Sequence, residues 1–297
     1  MRLLHFSDVH VSAEFRDVPI QRWVGKRGLA GLNLLLGRGK RFAAAPEKLR
    51  ALARFAQEQK FDAVLFTGDY TALGLEREFR AAREAVEPLM HAPAGYVNVP
   101  GNHDLYLPEV LRAKRFERFF GDTLESDLPD YQTGGPWPLV RWIGEQVAVV
   151  AVNSARPNPQ PWRSSGVIPE EQLAALADLL ADEAVRSRFV FVLTHYAPRL
   201  GDGRRDTKLH GLTNADDFLT VCADLPRGAI LCGHSHHGFH LKVPGVNPPI
   251  LCSGSTTMSG RETLWVYEVD QNSASATRGT WDGEGYCLDP SSVVELP

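Results

Sequence analysis

Short apolar runs recur along the first two-thirds of the chain, and polar or glycine residues bound each of them. Continuous apolar runs of this length are typical of strands buried on both faces. The predicted strands cover residues 2–7, 62–67, 96–99, 147–152, 189–194 and 229–232.

Between these strands, apolar residues recur at the spacing of one helical face. Within 46–60, for example, Leu49, Leu52 and Phe55 share a face, and Pro46 suits the first turn. The predicted helices cover residues 46–60, 75–90, 108–120, 169–182 and 213–224. Alternation of strand and helix is typical of an α/β fold with parallel strands.

The pattern changes after Gly233, where the chain becomes mostly β. Strands are predicted at 238–243, 249–253, 263–269 and 275–281, without a helical segment between them. Two sheets packed face to face, with helices outside, satisfy both parts of the chain. We therefore interpret residues 1–297 as a single domain.

Five polar clusters follow the ends of predicted strands. Loops at the carboxyl ends of strands are where α/β folds gather distant residues into one site. The clusters combine carboxylate, amide and imidazole groups without a thiolate, which suits Mn, Fe, Co, Ni or Zn and argues against a closed structural zinc site. They are Asp8-Val9-His10, Gly68-Asp69, Gly101-Asn102-His103-Asp104, Thr194-His195 and Gly233-His234-Ser235-His236.

The clusters contain enough ligands for two divalent metal ions. A bridging carboxylate is needed to hold two such ions about 3.5–4 Å apart, and Asp69 is the best candidate. One ion then takes Asp8, His10, Asp69 and His236, and the other takes Asp69, Asn102, His195 and His234. A water shared by the two ions loses a proton near neutral pH and becomes the nucleophile.

His103 is predicted to be a catalytic acid rather than a ligand. It lies beside Asn102 in the sequence and can protonate the leaving oxygen, while Asp104 is expected to hold its ring in the productive tautomer. A single histidine near a strand end is more often structural than a ligand, so the agreement of all five clusters carries the interpretation. The remaining histidines are interpreted as structural or surface residues, with His210 and His237 as candidate substrate contacts; they are His5, His91, His210, His237 and His240.

Charge and composition limit which binding partners and which cellular compartment we expect for this protein. The net charge of −4 provides no basic field for nucleic acid, so no stable nucleic-acid partner is expected. The four cysteines form no C-x-x-C pair and are interpreted as free thiols in a reducing compartment. No apolar run is long enough for a signal peptide or for the ~20 residues that span a bilayer. A cytoplasmic location is therefore expected.

The order of motifs, D-x-H, GD, GNH-D, H and GH-x-H, resembles the calcineurin-like metallophosphoesterase superfamily over roughly residues 1–265. This resemblance implies a four-layer α/β/β/α sandwich with a dinuclear metal site at the carboxyl ends of the strands. It also implies functional roles for the residues that match the motifs, which are Asp8, His10, Asp69, Asn102, His103, His195, His234 and His236.

The neighbours of these motifs distinguish subfamilies. Phosphoprotein phosphatases carry an arginine before GNH, where this chain has Pro100, and enzymes that cleave UDP-diacylglucosamine usually carry arginine at the position of His103. Bacterial class III cyclic-nucleotide phosphodiesterases keep GNHD and resemble this chain around Asn153 and His195. Many relatives have histidine where this chain has Tyr196, which affects the expected phosphate pocket.

A basic and apolar insert at residues 16–41 directly follows the first metal cluster. It carries seven basic residues and one acidic residue, for a net charge of +6, with leucines and Trp23 between them. Three interpretations stay open: a lid that binds an anionic substrate, a cationic amphipathic element that contacts membrane lipid, and a helix packed on the body with a solvated basic rim.

The sequence thus predicts a metal-dependent phosphoesterase that hydrolyses a small phosphodiester, such as a cyclic nucleotide, through a metal-bridging hydroxide. The alternatives are a phosphomonoesterase, a nucleotide-sugar or lipid pyrophosphohydrolase, and a non-catalytic scaffolding module on the same fold. The filled ligand positions argue against the scaffold. The sequence specifies neither the natural substrate nor the oligomeric state.

Overall fold

The computed structural model describes residues 1–12, 23, 25–158 and 160–297. Residues 13–22 and 24, which include part of the insert at 16–41, lie outside the described residues, as does residue 159.

The strands of the described residues form two sheets. The first has the order β12-β11-β10-β1-β2-β3, with β13 paired to β11, and the second has the order β4-β5-β6-β7-β9-β8. The strands are β1 (Arg2–Phe6), β2 (Ala63–Phe66), β3 (Tyr96–Asn98), β4 (Leu139–Ile143), β5 (Val147–Ala151), β6 (Phe189–Leu193), β7 (Gly228–Cys232), β8 (Gly238–Leu241), β9 (Ile250–Ser253), β10 (Thr263–Val269), β11 (Ala274–Trp281), β12 (Tyr286–Leu288) and β13 (Val294–Leu296).

Helices pack against both sheets, so the predicted four-layer α/β/β/α arrangement is confirmed. Helices α3 and α4 contact each other, as do α7 and α9. The helices are α1 (Lys26–Asn33), α2 (Gly39–Arg41), α3 (Ala45–Gln59), α4 (Glu76–Met90), α5 (Pro108–Arg112), α6 (Arg115–Phe120), α7 (Glu170–Ala181), α8 (Glu183–Arg186) and α9 (Ala215–Cys222). None of these helices is long and apolar enough to cross a membrane.

The parallel parts of the two sheets place the polar clusters. Strands β1, β2 and β3 are parallel neighbours in the first sheet, and β5, β6, β7 and β9 are parallel in the second. Every residue of β2, β5, β6 and β7 is buried, as expected for parallel strands covered on both faces. Parallel strands end at a common edge, so the loops that follow them meet there.

The two sheets meet in a core that contains one of the histidines. The Tyr267 ring of β10 lies 4.8 Å from the Phe191 ring of β6, and its hydroxyl lies 3.0 Å from His5 Nδ1. His5 Nε2 lies 3.0 Å from Thr67 Oγ1. Burial lowers the pKa of His5 to about 3, which keeps the ring neutral. His5 is therefore a packing residue, as the sequence predicted.

Some elements differ from the sequence prediction. The helix expected at 108–120 is two helices, α5 and α6, because the backbone of Lys114 is left-handed with φ 46°. Strand β4, which the sequence did not predict, pairs with β5 across Gly144 at φ 60°. Strands β12 and β13 were also missed, since three residues are too short to show a period.

Candidate metal centre

The carboxyl ends of five strands bring eight predicted site residues together. The clusters follow β1, β2 and β3 of the first sheet and β6 and β7 of the second. His195 Nδ1 donates to the Thr67 carbonyl at 2.7 Å, which joins a loop of the second sheet to a loop of the first. The converging residues are Asp8, His10, Asp69, Asn102, His103, His195, His234 and His236.

Five of the predicted ligands have a left-handed backbone: Asp8, His10, Asp69, His234 and His236, at φ between 43° and 66°. Elsewhere in the described residues, only two non-glycine residues, both lysines, have positive φ. A non-glycine residue in this region costs roughly 1 kcal/mol or more, and such strain clusters at functional sites. The loops thus adopt a costly conformation that turns adjacent side chains toward one point.

Two motif glycines allow close approach between these loops. A Cβ atom on Gly101 would overlap the Asp69 carboxylate, and a Cβ atom on Gly233 would overlap Ser7 Oγ and the Asp8 carboxylate. The glycines of the GNH and GH-x-H motifs are therefore required because any side chain there would clash with the neighbouring loop, and not because a turn needs a positive φ.

The first group of donor atoms comes from Asp8, His10, Asp69 and His236, whose ligand atoms lie within 4.8 Å of one another. His10 Nδ1 donates to the Thr71 carbonyl at 3.1 Å, which leaves a lone pair on Nε2. That Nε2 lies 2.9 Å from His236 Nε2 and 3.6 Å from Asp69 Oδ2. His236 Nε2 lies 3.2 Å from Asp8 Oδ1.

The chemistry of this group fits a cation. Asp8 Oδ2 accepts hydrogen bonds from Ser7 Oγ at 2.6 Å and the His234 amide at 2.9 Å, whereas Asp8 Oδ1 is buried without a hydrogen-bond partner. This unpartnered oxygen lies 3.2 Å from His236 Nε2 and 3.7 Å from His10 Nε2. A buried carboxylate oxygen that faces imidazole nitrogens in this way fits a cation between them.

The second group of donor atoms comes from Asn102, His195 and His234. With its Nδ1 proton given to Thr67, His195 presents Nε2, which lies 3.1 Å from Asn102 Oδ1. His234 Nε2 donates to the His210 carbonyl at 3.1 Å, so Nδ1 faces Asn102 Oδ1 at 2.9 Å. Burial lowers the pKa of His195 and of His234, which keeps both rings in the neutral form that metals bind.

Asp69 lies between the two groups. Its Oδ2 is 3.6 Å from His10 Nε2 in the first group and 3.5 Å from His195 Nε2 in the second. Its Oδ1 accepts a hydrogen bond from the His103 amide at 2.8 Å. One carboxylate oxygen therefore faces both groups, as a bridging ligand must.

The expected contact between Asp104 and the His103 ring is wrong. His103 Nδ1 lies 2.6 Å from the carbonyl oxygen of Ala72, and a backbone acceptor thus fixes the tautomer. Asp104 lies behind the loops instead, where its two oxygens accept hydrogen bonds at 2.9–3.1 Å from Gly101 N, Asp69 N, Tyr70 N, Thr71 N and Thr71 Oγ1. Its role is to hold the GD and GNH loops together.

Replacing Asp104 with alanine should therefore destabilise the fold. Several buried donors would lose their acceptor, which costs about 3–5 kcal/mol in the free energy of unfolding. Urea unfolding of the two proteins measures this difference. Asp122→Ala is the matched control, because that exposed carboxylate pairs with Arg83 at the surface and should cost only about 1 kcal/mol or less. Equal losses in the two variants would contradict the anchoring role.

Residues 255–257 also support the site, and sequence reasoning missed them. Ser255 Oγ donates to the Asp8 carbonyl at 2.7 Å, and Thr257 Oγ1 donates to the Val9 carbonyl at 2.8 Å. Between them, Thr256 Oγ1 accepts a hydrogen bond from the Ser7 amide at 3.1 Å. The available signal was a polar run directly after an apolar strand, the same pattern that marks the metal clusters.

A cavity of about 250 Å³ opens onto the donor atoms, and Asp69, Asn102, His103, His234 and His236 line its floor. Helix α1 of the insert and the loop 161–164 form its walls.

These two walls are joined by a buried lysine of the insert. Lys26 Nζ donates to the Arg163 carbonyl at 2.8 Å and lies 4.8 Å from the centre of the Tyr106 ring. Burial lowers the pKa of Lys26 to about 8, although the negative charge of Asp69 opposes the shift. The insert thus brings a positive charge to the wall of the cavity.

Two sheets with outer helices, and an Asp/His cluster at their strand ends, define the class of metal-dependent phosphoesterases. The family model for calcineurin-like phosphoesterases matches residues 1–238. The chain belongs to this family, and the superfamily resemblance seen in the sequence is confirmed. The family and the cluster together support a dinuclear metal site.

Solved structures with the same fold include two phosphatases. A dimetal phosphatase from Danio rerio has a TM-score of 0.64 and 12% identity over 97% of this chain and 98% of that chain. The purple acid phosphatase PPD1 from yellow lupin has a TM-score of 0.62 and 11% identity over 97% of this chain and 52% of that chain. At these identities the similarity shows the fold alone. No curated protein sequence matches the chain significantly.

Proposed function

We propose that this protein hydrolyses phosphodiesters with two divalent metal ions. The position of Asp69 Oδ2 supports this proposal most directly, because it lies 3.6 Å and 3.5 Å from imidazole nitrogens of two separate donor groups. In the proposal, one ion is held by Asp8, His10, Asp69 and His236, and the other by Asp69, Asn102, His195 and His234. Two bound cations supply a nucleophilic water at neutral pH and offset phosphate charge.

Backbone carbonyl groups around the proposed metal site fix the tautomers of three imidazole ligands. The Thr71, Thr67 and His210 carbonyls each accept a hydrogen bond from one imidazole, so the other ring nitrogen faces the ions unprotonated. Several of these ligand types accept Mn, Fe, Zn, Ni or Co, and metal availability decides among them.

His103 is proposed as the acid that protonates the leaving oxygen. It lines the cavity beside Asn102 and Asp69, and its ring stacks on Tyr106 at a centroid distance of 5.2 Å. The Ala72 carbonyl accepts a hydrogen bond from Nδ1, which orients the ring and assigns the proton transfer to Nε2. The leaving alkoxide takes its proton from that Nε2.

The preference for a diester over a monoester rests on charge. A phosphate monoester is a dianion near neutral pH, and phosphoprotein phosphatases of this superfamily place an arginine before GNH. This chain has Pro100 there, and among the described residues both Lys26 of the insert, which is buried, and Arg163 line the cavity wall. Without the arginine before GNH, the site offers less positive charge to a dianion, which favours the monoanion of a phosphodiester. The GNHD motif supports the same preference by resemblance to class III phosphodiesterases.

The Mn²⁺-loaded protein tests this proposal with bis-p-nitrophenyl phosphate and p-nitrophenyl phosphate, alongside a measurement of bound metal. We expect two ions per chain and kcat/KM at least about tenfold higher for the diester, a difference of about 1.4 kcal/mol. Faster hydrolysis of the monoester would identify a phosphomonoesterase. Full metal content without turnover of either substrate would favour the scaffolding alternative.

The cysteines support a reducing compartment, for which we propose the cytoplasm. All four thiols are free, and Cys232 and Cys252 remain unlinked although they are paired neighbours on β7 and β9. Disulfides are rare in cytosolic proteins because thiols are kept reduced there.

A further inference from the structure

Helix α1 presents leucines to solvent and its two basic side chains to the protein, and the π-helical turn that follows it (Leu34–Arg38) exposes two more leucines. Leu29, Leu32, Leu35 and Leu36 are 52%, 50%, 70% and 76% exposed, whereas Lys26 and Arg27 of the same helix are buried. Surface helices of globular proteins usually have the opposite polarity. We call these four leucines, together with Trp162, the leucine face.

Specific contacts fix this orientation. Arg27 donates to Glu109 at 2.9 Å, and Lys26 is held by the Arg163 carbonyl. Leu34 and Ala30 pack on a small apolar cluster that is separate from the main core and includes Leu73. The inner face of the helix is therefore already occupied, and the exposed leucines have no place in the core.

Three residues of the leucine face line cavities at the metal centre. Leu29 and Trp162, which is 72% exposed, line the cavity of about 250 Å³ together with His103. Leu36 lines an adjoining open cavity together with His236. Contiguous exposed apolar patches on a monomer mark an interaction surface, and this one lies at the entrance that a substrate must use.

The charge beside the leucine face is positive. Lys40 and Arg41 are exposed and directly follow the π-helical turn. Within the insert at 16–41, whose net charge is +6, these two exposed cations contrast with the buried Lys26 and Arg27. Aliphatic side chains with an exposed tryptophan and flanking cations match the interface of an anionic bilayer, where apolar groups enter the acyl boundary and cations meet lipid headgroups.

We propose that the leucine face docks this protein on an anionic lipid bilayer, and that the substrate of the metal centre is a phosphoester with a lipid-embedded apolar part. The substrate assignment rests on the proposed phosphoesterase function, whereas docking does not. Contact through Leu32 and Leu35 places the cavity opening against the headgroup layer, so a phosphate at that level reaches the donor atoms without leaving the bilayer.

Binding is tested with the full chain and vesicles of phosphatidylcholine containing phosphatidylglycerol, compared with phosphatidylcholine alone. We expect binding to the anionic vesicles that weakens with salt, and a loss of about tenfold or more in the double variant Leu32→Ser/Leu35→Ser, since burying leucine side chains drives such partitioning. Val293→Ser is the matched control, because Val293 is 47% exposed on a different part of the surface. If the wild-type protein does not bind the anionic vesicles, the docking proposal is wrong.

The substrate class is tested with two diesters that share a leaving group. Methyl p-nitrophenyl phosphate is soluble, and hexadecyl p-nitrophenyl phosphate is presented in the same anionic vesicles. We expect Leu32→Ser/Leu35→Ser to lower turnover of the hexadecyl ester about tenfold or more and to leave the methyl ester unchanged, because neither leucine lines a cavity at the metal centre. Equal rates in wild type and variant for the hexadecyl ester contradict the lipid substrate.

The two proposals fail in different ways. Vesicle binding without hydrolysis of either ester refutes the phosphoesterase function and leaves docking in place. Hydrolysis of the methyl ester without vesicle binding refutes docking alone. If light scattering shows a dimer that Leu32→Ser/Leu35→Ser converts to a monomer, and the wild-type protein does not bind vesicles, the leucine face is an interface between two copies of the chain.

Discussion

Asp69→Asn is expected to lower kcat/KM for bis-p-nitrophenyl phosphate by about a thousandfold, since a metal ion contributes several kcal/mol to such reactions. Bound metal should fall from two ions per chain toward one. The reason is that Asp69 Oδ2 faces both donor groups, and an amide NH₂ at that position would present protons to His10 and His195.

The substitution should leave the fold intact. Asparagine tolerates the left-handed backbone of Asp69 at φ 65°, and its Oδ1 can still accept from the His103 amide. Asp270→Asn, which removes an exposed carboxylate at the turn between β10 and β11, is the matched control and should keep rate and metal content. A fully active Asp69→Asn protein that retains two ions would show that no carboxylate bridge exists.

His103→Ala is expected to keep both metal ions and lose about 10²–10⁴ in rate, the usual contribution of general acid catalysis. The loss should be larger for diphenyl phosphate than for bis-p-nitrophenyl phosphate, because a poorer leaving group depends more on protonation.

His91→Ala provides the control, because its imidazole is 73% exposed and contacts Glu87 on the outer helix α4. It should match the wild type in rate and metal content. If His103→Ala instead loses metal, His103 is a ligand and its assignment as the acid is wrong. If His103→Ala loses the same factor in rate with both diesters, His103 does not protonate the leaving group.

Sequence patterns predicted the elements that carry the site better than those that flank it. Strands such as β6 are apolar throughout because both faces are covered, so a continuous run identifies them without knowledge of their neighbours. Strand β4, with half-buried Arg141 and Trp142, has a mixed pattern that becomes a strand only by pairing with β5. The break at Lys114 likewise depends on backbone conformation rather than on residue periodicity.

Within the site, residue type predicted which side chains converge but not how they are held. Asp104 was placed near His103 from adjacency in the sequence. In the structure it accepts hydrogen bonds from two loops that lie over 30 residues apart, from Asp69 to Gly101. The tautomers of His10 and His195 depend on carbonyl groups of the 67–71 segment, which carry no sequence signal because every residue has one.

The sequence by itself determined the family, the α/β class and the residues that meet at the metal centre, because ligand chemistry depends on residue type and strand ends lie at a common edge. Only the tertiary structure decided that Asp69 Oδ2 faces both donor groups and that Asp104 anchors loops. It also decided the polarity of helix α1 within the insert, where the composition is compatible with a packed helix, a lid or a membrane contact. The burial of Arg27 and the exposure of Leu35 follow from which face of α1 packs on the protein, and that choice depends on residues such as Leu73 and Glu109 far along the chain.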